Sequence, residues 1–388
     1  MTATLVTIEG DIRDYAWGTP GGISRALGRP APDAPEAELW LGAHPSAPSR
    51  AVAGAAGWTD LAEWERSGAG RVPYLLKVLS AVSPLSLQAH PTPEQALEGF
   101  ARENAEGIPL DARERNYKDP YAKPELIVAL EDGFEALCGF RPVDETIAEV
   151  DALSAAATDA GLDEAPFARW RALLAGEDGI RAAFVWLLDG GADVEALIAS
   201  VTQIAAQHPD RFELPGRLAA GYPGDPGVAA ALMLNHVTLA AGESLWLPAG
   251  NVHAYLRGTG MELMGPSDNV LRGGLTPKHV DTGELGRVLD FTGGEPPYLA
   301  PVPVADSVVS YRPRSLASGA DVAFELLDVS ADARIETGSP AIGIVVEGEF
   351  SITGPEGTRS LERGESVFVT DAATLEVRGA GRLFIATA

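Results

Sequence analysis

The sequence predicts a mainly β protein carrying an α-helical insertion, and three observations lead there. Residues 73–130 and 228–290 hold apolar runs and two-residue alternation bounded by Gly and Pro, the pattern of half-buried and buried strands. Residues 141–220 change character: VDETIAEVDALSAAATDAG, APFARWRALLAG, GIRAAFVWLLDGG and DVEALIASVTQIAAQ place apolar residues at three-and-four spacing, broken by Gly and Asp. That reads as roughly four amphipathic helices. Residues 320–388 return to short strands, and LERGESVFV (361–369) repeats LAAGESLWL (239–247). The expected organisation is one β-unit from 1–140 and 226–295, a helical insertion at 141–225, and a second, degenerate β-unit at 296–388. Part of 18–72 is expected to pack with the second unit, and the Pro-rich stretch 291–315 reads as a linker.

Composition narrows the function classes. The net charge of −26 repels nucleic acid and anionic membranes, so the expected partner is a small molecule acting on a monomer. A single cysteine, Cys138, forbids an internal disulfide and excludes multi-cysteine zinc or iron–sulfur sites. The start, MTATLVTIEGDIRDYAWG, lacks a basic n-region and an apolar core, and no run reaches the ~20 apolar residues of a membrane span. A cytoplasmic setting is expected. The chain has only four lysines, Lys77, Lys118, Lys123 and Lys278, and all lie beside the polar motifs described next. In so acidic a protein, such a cluster suggests an anionic ligand such as a phosphate.

Taken in order, residues 1–75 read as short strands and turns, with His44 as a structural loop residue. Next comes PYLLKVLSAVSPLSLQAHP (73–91), an apolar strand containing Lys77. An ammonium there needs an anionic partner or a route to water. Ser86, Gln88 and His90 alternate with Leu85, Leu87 and Ala89, which places the polar three on one face. Residues 94–106 read as a helix. Lys123 and Glu125 flank Pro124 at the head of the strand 126–130 and share a face. Within 242–278, Glu243 to Leu247 is a strand, Pro248-Ala249-Gly250-Asn251 a turn, and Val252 to Leu256 a second strand. His253 and Tyr255 then point one way, Ala254 and Leu256 the other. Taken alone, His253 reads as an ordinary core histidine. The second copy of the repeat has Leu375 where the first has His253, so only the first retains ligand chemistry. The LxxGES…PxGxxH pattern resembles the cupin barrel, a double-sheet jelly roll, which implies two cupin-like β-units plus the helical domain.

Gln88, His90, Glu125 and His253 supply two imidazoles, a carboxylate and an amide oxygen from three separate stretches. That set suits zinc, and two histidines with one carboxylate suit ferrous iron equally. The stretches SLQAHP (86–91), YKDPYAKPEL (117–126), PAGNVHAYL (248–256) and SDNVLRGGLTPK (267–278) together resemble the type I mannose-6-phosphate isomerases. The resemblance implies one Zn2+ per chain on Gln88, His90, Glu125 and His253. It implies Arg272 as the active-site residue, with Lys77, Lys123, Tyr255, Glu262 and Asp268 in the same cavity and Ser86 and Lys278 on the phosphate. The implied reaction interconverts mannose 6-phosphate and fructose 6-phosphate through an enediol. Glu262 is the first choice of general base, with other proton carriers open; Lys123 or Arg272 would stabilise the developing charge. Two alternatives stand beside this reading: an Fe(II) tandem-cupin oxygenase, and a non-catalytic sugar-phosphate-binding protein.

Overall fold

The strand His253–Met264 dictates how the catalytic half is built, because it changes partners part-way along. Its first residues pair with Phe134–Phe140, and its later ones lie between Leu75–Ala81 and Glu125–Ala129. The change happens at Gly258, whose φ is 112°. A Cβ there would come within 2.7 Å of the Phe134 Cα, so only glycine permits the approach. Just before it, Tyr255 pairs with Ala136 and Arg257 with Glu135, leaving Leu256 as the extra residue of a bulge. An extra residue resets the alternation of faces further along the strand.

The computed structural model describes residues 4–52, 54 and 56–388. Among them are two large antiparallel sheets. The first runs in the order 234–239, 134–140, 253–264, 75–81, 38–41, 11–13, with Ser244–Leu247 on Glu125–Ala129 and Leu271–Arg272 on Gln88–Ala89 as short side pairs. The second runs 302–305, 308–311, 325–337, 373–387, 341–354, 366–369, 5–9, 50–51, with Gly357–Glu362 on the strand Ala341–Gly354. One apolar core joins the two, taking Leu39, Leu76 and Met261 from the first and Ile342, Phe368 and Phe384 from the second.

Five helices stand where roughly four were expected: Val143–Asp159, Ala165–Leu174, Gly179–Asp189, Ala192–Gln207 and Glu213–Gly221. Their apolar faces share a core with Leu87, Ala89, Ala254, Leu256 and Leu271. These are the residues that alternate with Gln88, His90, His253 and Arg272, so the helical block buttresses the back of the strands whose fronts carry polar groups. None of the helices is long and apolar enough to cross a membrane, among the described residues.

Two expectations need correction. The stretch 291–315 is not only a linker: Val302–Ala305 and Val308–Tyr311 form a hairpin that extends the second sheet along Glu325–Thr337. Its prolines sit where an edge strand tolerates them. The strand Leu5–Glu9, expected with the first unit, pairs instead with Ser366–Val369, and Arg50–Ala51 adds beside it. From 18–72, the rings of Trp58 and Trp64 meet Phe368 edge-on, and Ile23 and Leu27 belong to the same apolar core.

Candidate active site

Three of the four expected ligands meet at one buried point. The Nε2 atoms of His90 and His253 lie 3.4 Å and 3.1 Å from the two oxygens of Glu125, and all three residues are buried. The far side of each imidazole is fixed: His90 Nδ1 donates to the Asn269 carbonyl at 2.7 Å, and His253 Nδ1 to the Asn251 carbonyl at 3.1 Å. Placing the ring proton on Nδ1 follows from those carbonyls, which only accept. Each Nε2 is then a lone pair facing a carboxylate, and neither Nε2 nor Glu125 Oε2 has a hydrogen-bond donor. Buried acceptors aimed at one another are costly, and a cation between them removes the cost. Imidazoles oriented through Nδ1 onto carbonyls are how proteins present Nε2 to a metal. The residues therefore fit a divalent ion.

The electrostatics agree. Burial, helped by the Lys123 charge, lowers His90 to about 4, which keeps the ring neutral as a ligand must be. Burial pushes the Glu125 carboxyl up, but Lys123, with its Nζ 2.9 Å away, and the two imidazoles pull it well below the usual carboxylate range. Gln88 is paired across the sheet with His253 on one side and Arg272 on the other. It thereby connects the buried cluster to a cavity of about 320 Å3 lined by Ser86, Gln88, Arg272, Lys278, Tyr15, Trp17 and Tyr222.

That cavity is cationic. Burial lowers the Arg272 guanidinium, and the Arg272 charge followed by burial lowers the Lys278 ammonium. A buried guanidinium whose charge disfavours that of the neighbouring ammonium is suited, with it, to a shared anion. Asp268 lies elsewhere, beside a second cavity of about 410 Å3 that includes His44, Arg71 and Lys118. His44 Nε2 is 3.4 Å from Asp268 Oδ1, and this contact, ahead of an opposing burial effect, lowers the Asp268 carboxyl.

Glu262 and Tyr255 sit in a buried network next to Glu125. Tyr255 OH donates to Glu262 Oε1 at 3.0 Å, and Lys77 Nζ is 3.0 Å from Glu262 Oε2. Lys77 also donates to Glu38 Oε1 at 3.3 Å, while Trp40 Nε1 donates to Glu38 Oε2 at 2.7 Å. Burial pushes the Glu262 carboxyl up, with Lys77 opposing. Burial pushes the Lys77 ammonium down, but Glu262 and Glu38 outweigh it and raise it. Lys77 thus has two carboxylate partners, not an ammonium free for a phosphate.

Several groups escaped the sequence reading. Glu38 carries no motif, since one acid among many on a strand gives no signal. Asn269 and Asn251 act on the imidazoles through backbone carbonyls, which any residue could supply. Asn269 is also fully buried, with its amide donating to the carbonyls of Asp119 and Tyr121 at 2.8 Å and 2.9 Å. His44, read as a structural loop residue, pairs with Asp268 far along the chain, a contact its own stretch does not signal.

Comparison with known proteins decides the family. A family model described as the catalytic domain of type I phosphomannose isomerase matches residues 5–143. Mannose-6-phosphate isomerase of Escherichia coli (strain K12) is 35% identical over 390 residues, covering 96% of each chain. The chain belongs to the type I mannose-6-phosphate isomerases. It is accordingly an isomerase, which sets the oxygenase and non-catalytic readings aside. A variant phosphomannose isomerase from Salmonella typhimurium superposes on this isomerase with a TM-score of 0.86, at 31% identity and 99% coverage of both chains. A mannose 6-phosphate isomerase solved with zinc and yttrium gives a TM-score of 0.85 at 32% identity, again over 99% of each chain.

Proposed function

We propose that this isomerase interconverts mannose 6-phosphate and fructose 6-phosphate through an enediol, with one Zn2+ held by Gln88, His90, Glu125 and His253. The observation that carries the reading is the pair of buried Nε2 lone pairs and the carboxylate facing one another without a donor. Zinc accepts such nitrogen and oxygen donors at ~2.0–2.2 Å. The zinc-bound structure of a relative favours zinc over ferrous iron. When bound, zinc would supply Lewis acidity at the sugar carbonyl.

The chain's own residues do the rest. Ser86 and Lys278 take the phosphate at the cavity mouth, and that remote binding holds the reacting carbons in place. Glu262 moves the proton between C2 and C1. Tyr255 orients its carboxylate and Lys77 keeps it ionised, while burial raises its basicity. Arg272 offers a rigid fork of donors to the developing enediolate, with Lys123 as a second cation beside Glu125. Asp268, paired with His44 beside the second cavity, is given no part in holding the phosphate.

The two sheets are read as cupin-like units. The repeat supports this: LAAGESLWL and LERGESVFV supply the strands Ser244–Leu247 and Ser366–Val369, each followed by a long strand, His253–Met264 and Ala373–Thr387. On this division 1–140 with 226–295 is catalytic, 141–225 is the helical insertion and 296–388 is the degenerate unit, to which the first strand is lent. A cytoplasmic setting fits the single buried thiol, Cys138.

The test is a coupled assay of fructose 6-phosphate formation from mannose 6-phosphate, before and after exhaustive chelation. Activity should vanish with the metal and return with zinc. Full turnover by metal-free protein would sink the reading.

A further inference from the structure

The helical block ends in a turn, residues 222–227, that touches both walls of the phosphate end of the cavity. One Asp225 oxygen accepts from the backbone N–H of Leu275 at 2.8 Å and of Gly227 at 2.7 Å, and the other from Thr276 N–H at 3.1 Å. Thr276 Oγ1 in turn accepts from Lys278 N–H at 3.1 Å. The loop so held is unusual. Leu275 has φ of 52°, the only non-glycine residue with positive φ among the described residues, and Gly274 before it has φ of 122°. A leucine resists that conformation, so external hydrogen bonds must hold it there. The turn and loop also meet backbone to backbone: a Cβ on Gly227 would come within 2.5 Å of Leu275 N, and one on Gly274 within 2.7 Å of the Gly227 Cα.

The same turn reaches the other wall. Tyr222 OH donates to the Pro84 carbonyl at 2.8 Å, two residues ahead of Ser86. The walls are tied to each other as well, since Leu87 N–H donates to the Gly274 carbonyl at 3.0 Å and Gly273 N–H to the Leu87 carbonyl at 2.8 Å. Segment 84–88 carries Ser86 and Gln88, and segment 272–278 carries Arg272 and Lys278.

We propose that the 222–227 turn is a clamp set by the helical block, with Asp225 as the positioning residue that holds the Leu275–Lys278 backbone where Lys278 meets the substrate phosphate. This rests on the assignment of Lys278 and Ser86 to the phosphate. Asp225 touches neither substrate nor metal ligands; it acts through Thr276 and Lys278. It also gives the helical insertion a purpose in binding beyond covering the strands.

The experiment compares Asp225→Ala, Asp225→Asn, Lys278→Ala and the Asp225→Ala/Lys278→Ala double variant. It reads kcat, KM for mannose 6-phosphate, the inhibition constant of inorganic phosphate, and zinc content. Asp225→Ala should raise KM and the phosphate inhibition constant about tenfold, the scale of one or two lost hydrogen bonds, with kcat and zinc content nearly unchanged. Asp225→Asn should fall between, because its amide oxygen still serves Gly227 and Leu275 while its NH2 opposes Thr276 N–H. It carries the test if the alanine variant does not fold. In the double variant, Asp225→Ala should add little to Lys278→Ala. Unchanged KM and inhibition constant in both Asp225 variants, or effects that multiply in the double variant, overturn the clamp. If Lys278→Ala itself leaves phosphate inhibition unchanged, the phosphate assignment falls and the clamp with it; a Lys278 effect without an Asp225 effect overturns the clamp alone.

Discussion

Replacing Lys77 by methionine should destabilise the protein in a way that grows with pH. The ammonium sits 3.0 Å from Glu262 and 3.3 Å from Glu38, all three side chains being buried. Removing one partner from such a group leaves uncompensated buried charge and typically costs about 3–5 kcal/mol. Methionine keeps most of the volume, so the cavity contribution is small. The pH dependence follows from Glu262. Its folded pKa is already raised by burial and restrained by Lys77, so the variant raises it further. Across the window from the wild-type folded value up to the variant's, native variant protein holds a proton that native wild type has lost. Stability of the variant relative to wild type then falls as pH rises, by at most about 1.4 kcal/mol per pH unit. Urea unfolding from pH 5 to 8 should show a penalty that is smallest at pH 5. The acid limb of kcat/KM should also move to higher pH. A penalty below about 1 kcal/mol, or one flat across that range, refutes the buried triad as the origin.

Two further substitutions separate roles. Arg272→Ala should lower kcat by about 10²–10³ with zinc content unchanged, since it removes a donor to developing charge and no ligand; unaltered turnover would take Arg272 out of the mechanism. Glu135, far from the cluster, is buried on Arg217, Arg257 and His236. Burial pushes its carboxyl up, but hydrogen bonds from His236 and Arg217 outweigh that and lower it to about 2. Its stabilisation is therefore present above the unfolded value and lost as pH falls towards 2. Glu135→Gln should cost at most about 3 kcal/mol at pH 7, less for screening of its exposed partners, and little at pH 2; a deficit independent of pH, measured by urea unfolding, would be the contrary result.

The meeting of His90 with Glu125 and His253 was partly legible because strands make alternation visible. Leu87 and Ala89 face the helical core while His90 faces the Glu125–His253 cluster, as the spacing required. Lys123 and Glu125 share a face across Pro124 and do form an ion pair. The Tyr255–Glu262 contact was not legible. The two residues are seven apart, so regular alternation puts them on opposite faces, and only the bulge at Leu256 and the turn of the strand at Gly258 bring them together. Bulges depend on the partner strand, here Phe134–Phe140, and leave little mark in their own residues. The hairpin 302–311 was missed for a related reason. Its prolines argue against a strand, and edge placement, which excuses them, is a property of the folded sheet. The clamp at Asp225 was hidden because its work is done on backbone N–H groups fifty residues later in the chain.

The proposed ion would be held by side chains from three distant stretches, and zinc-edge X-ray absorption of the purified protein tests this most directly. The expected spectrum has about four nitrogen and oxygen donors at ~2.0–2.2 Å, including the outer-shell scattering of two imidazoles. His253→Ala should remove one imidazole or the metal itself. A zinc site with sulfur neighbours, or one whose imidazole signal survives both His90→Ala and His253→Ala, would contradict it.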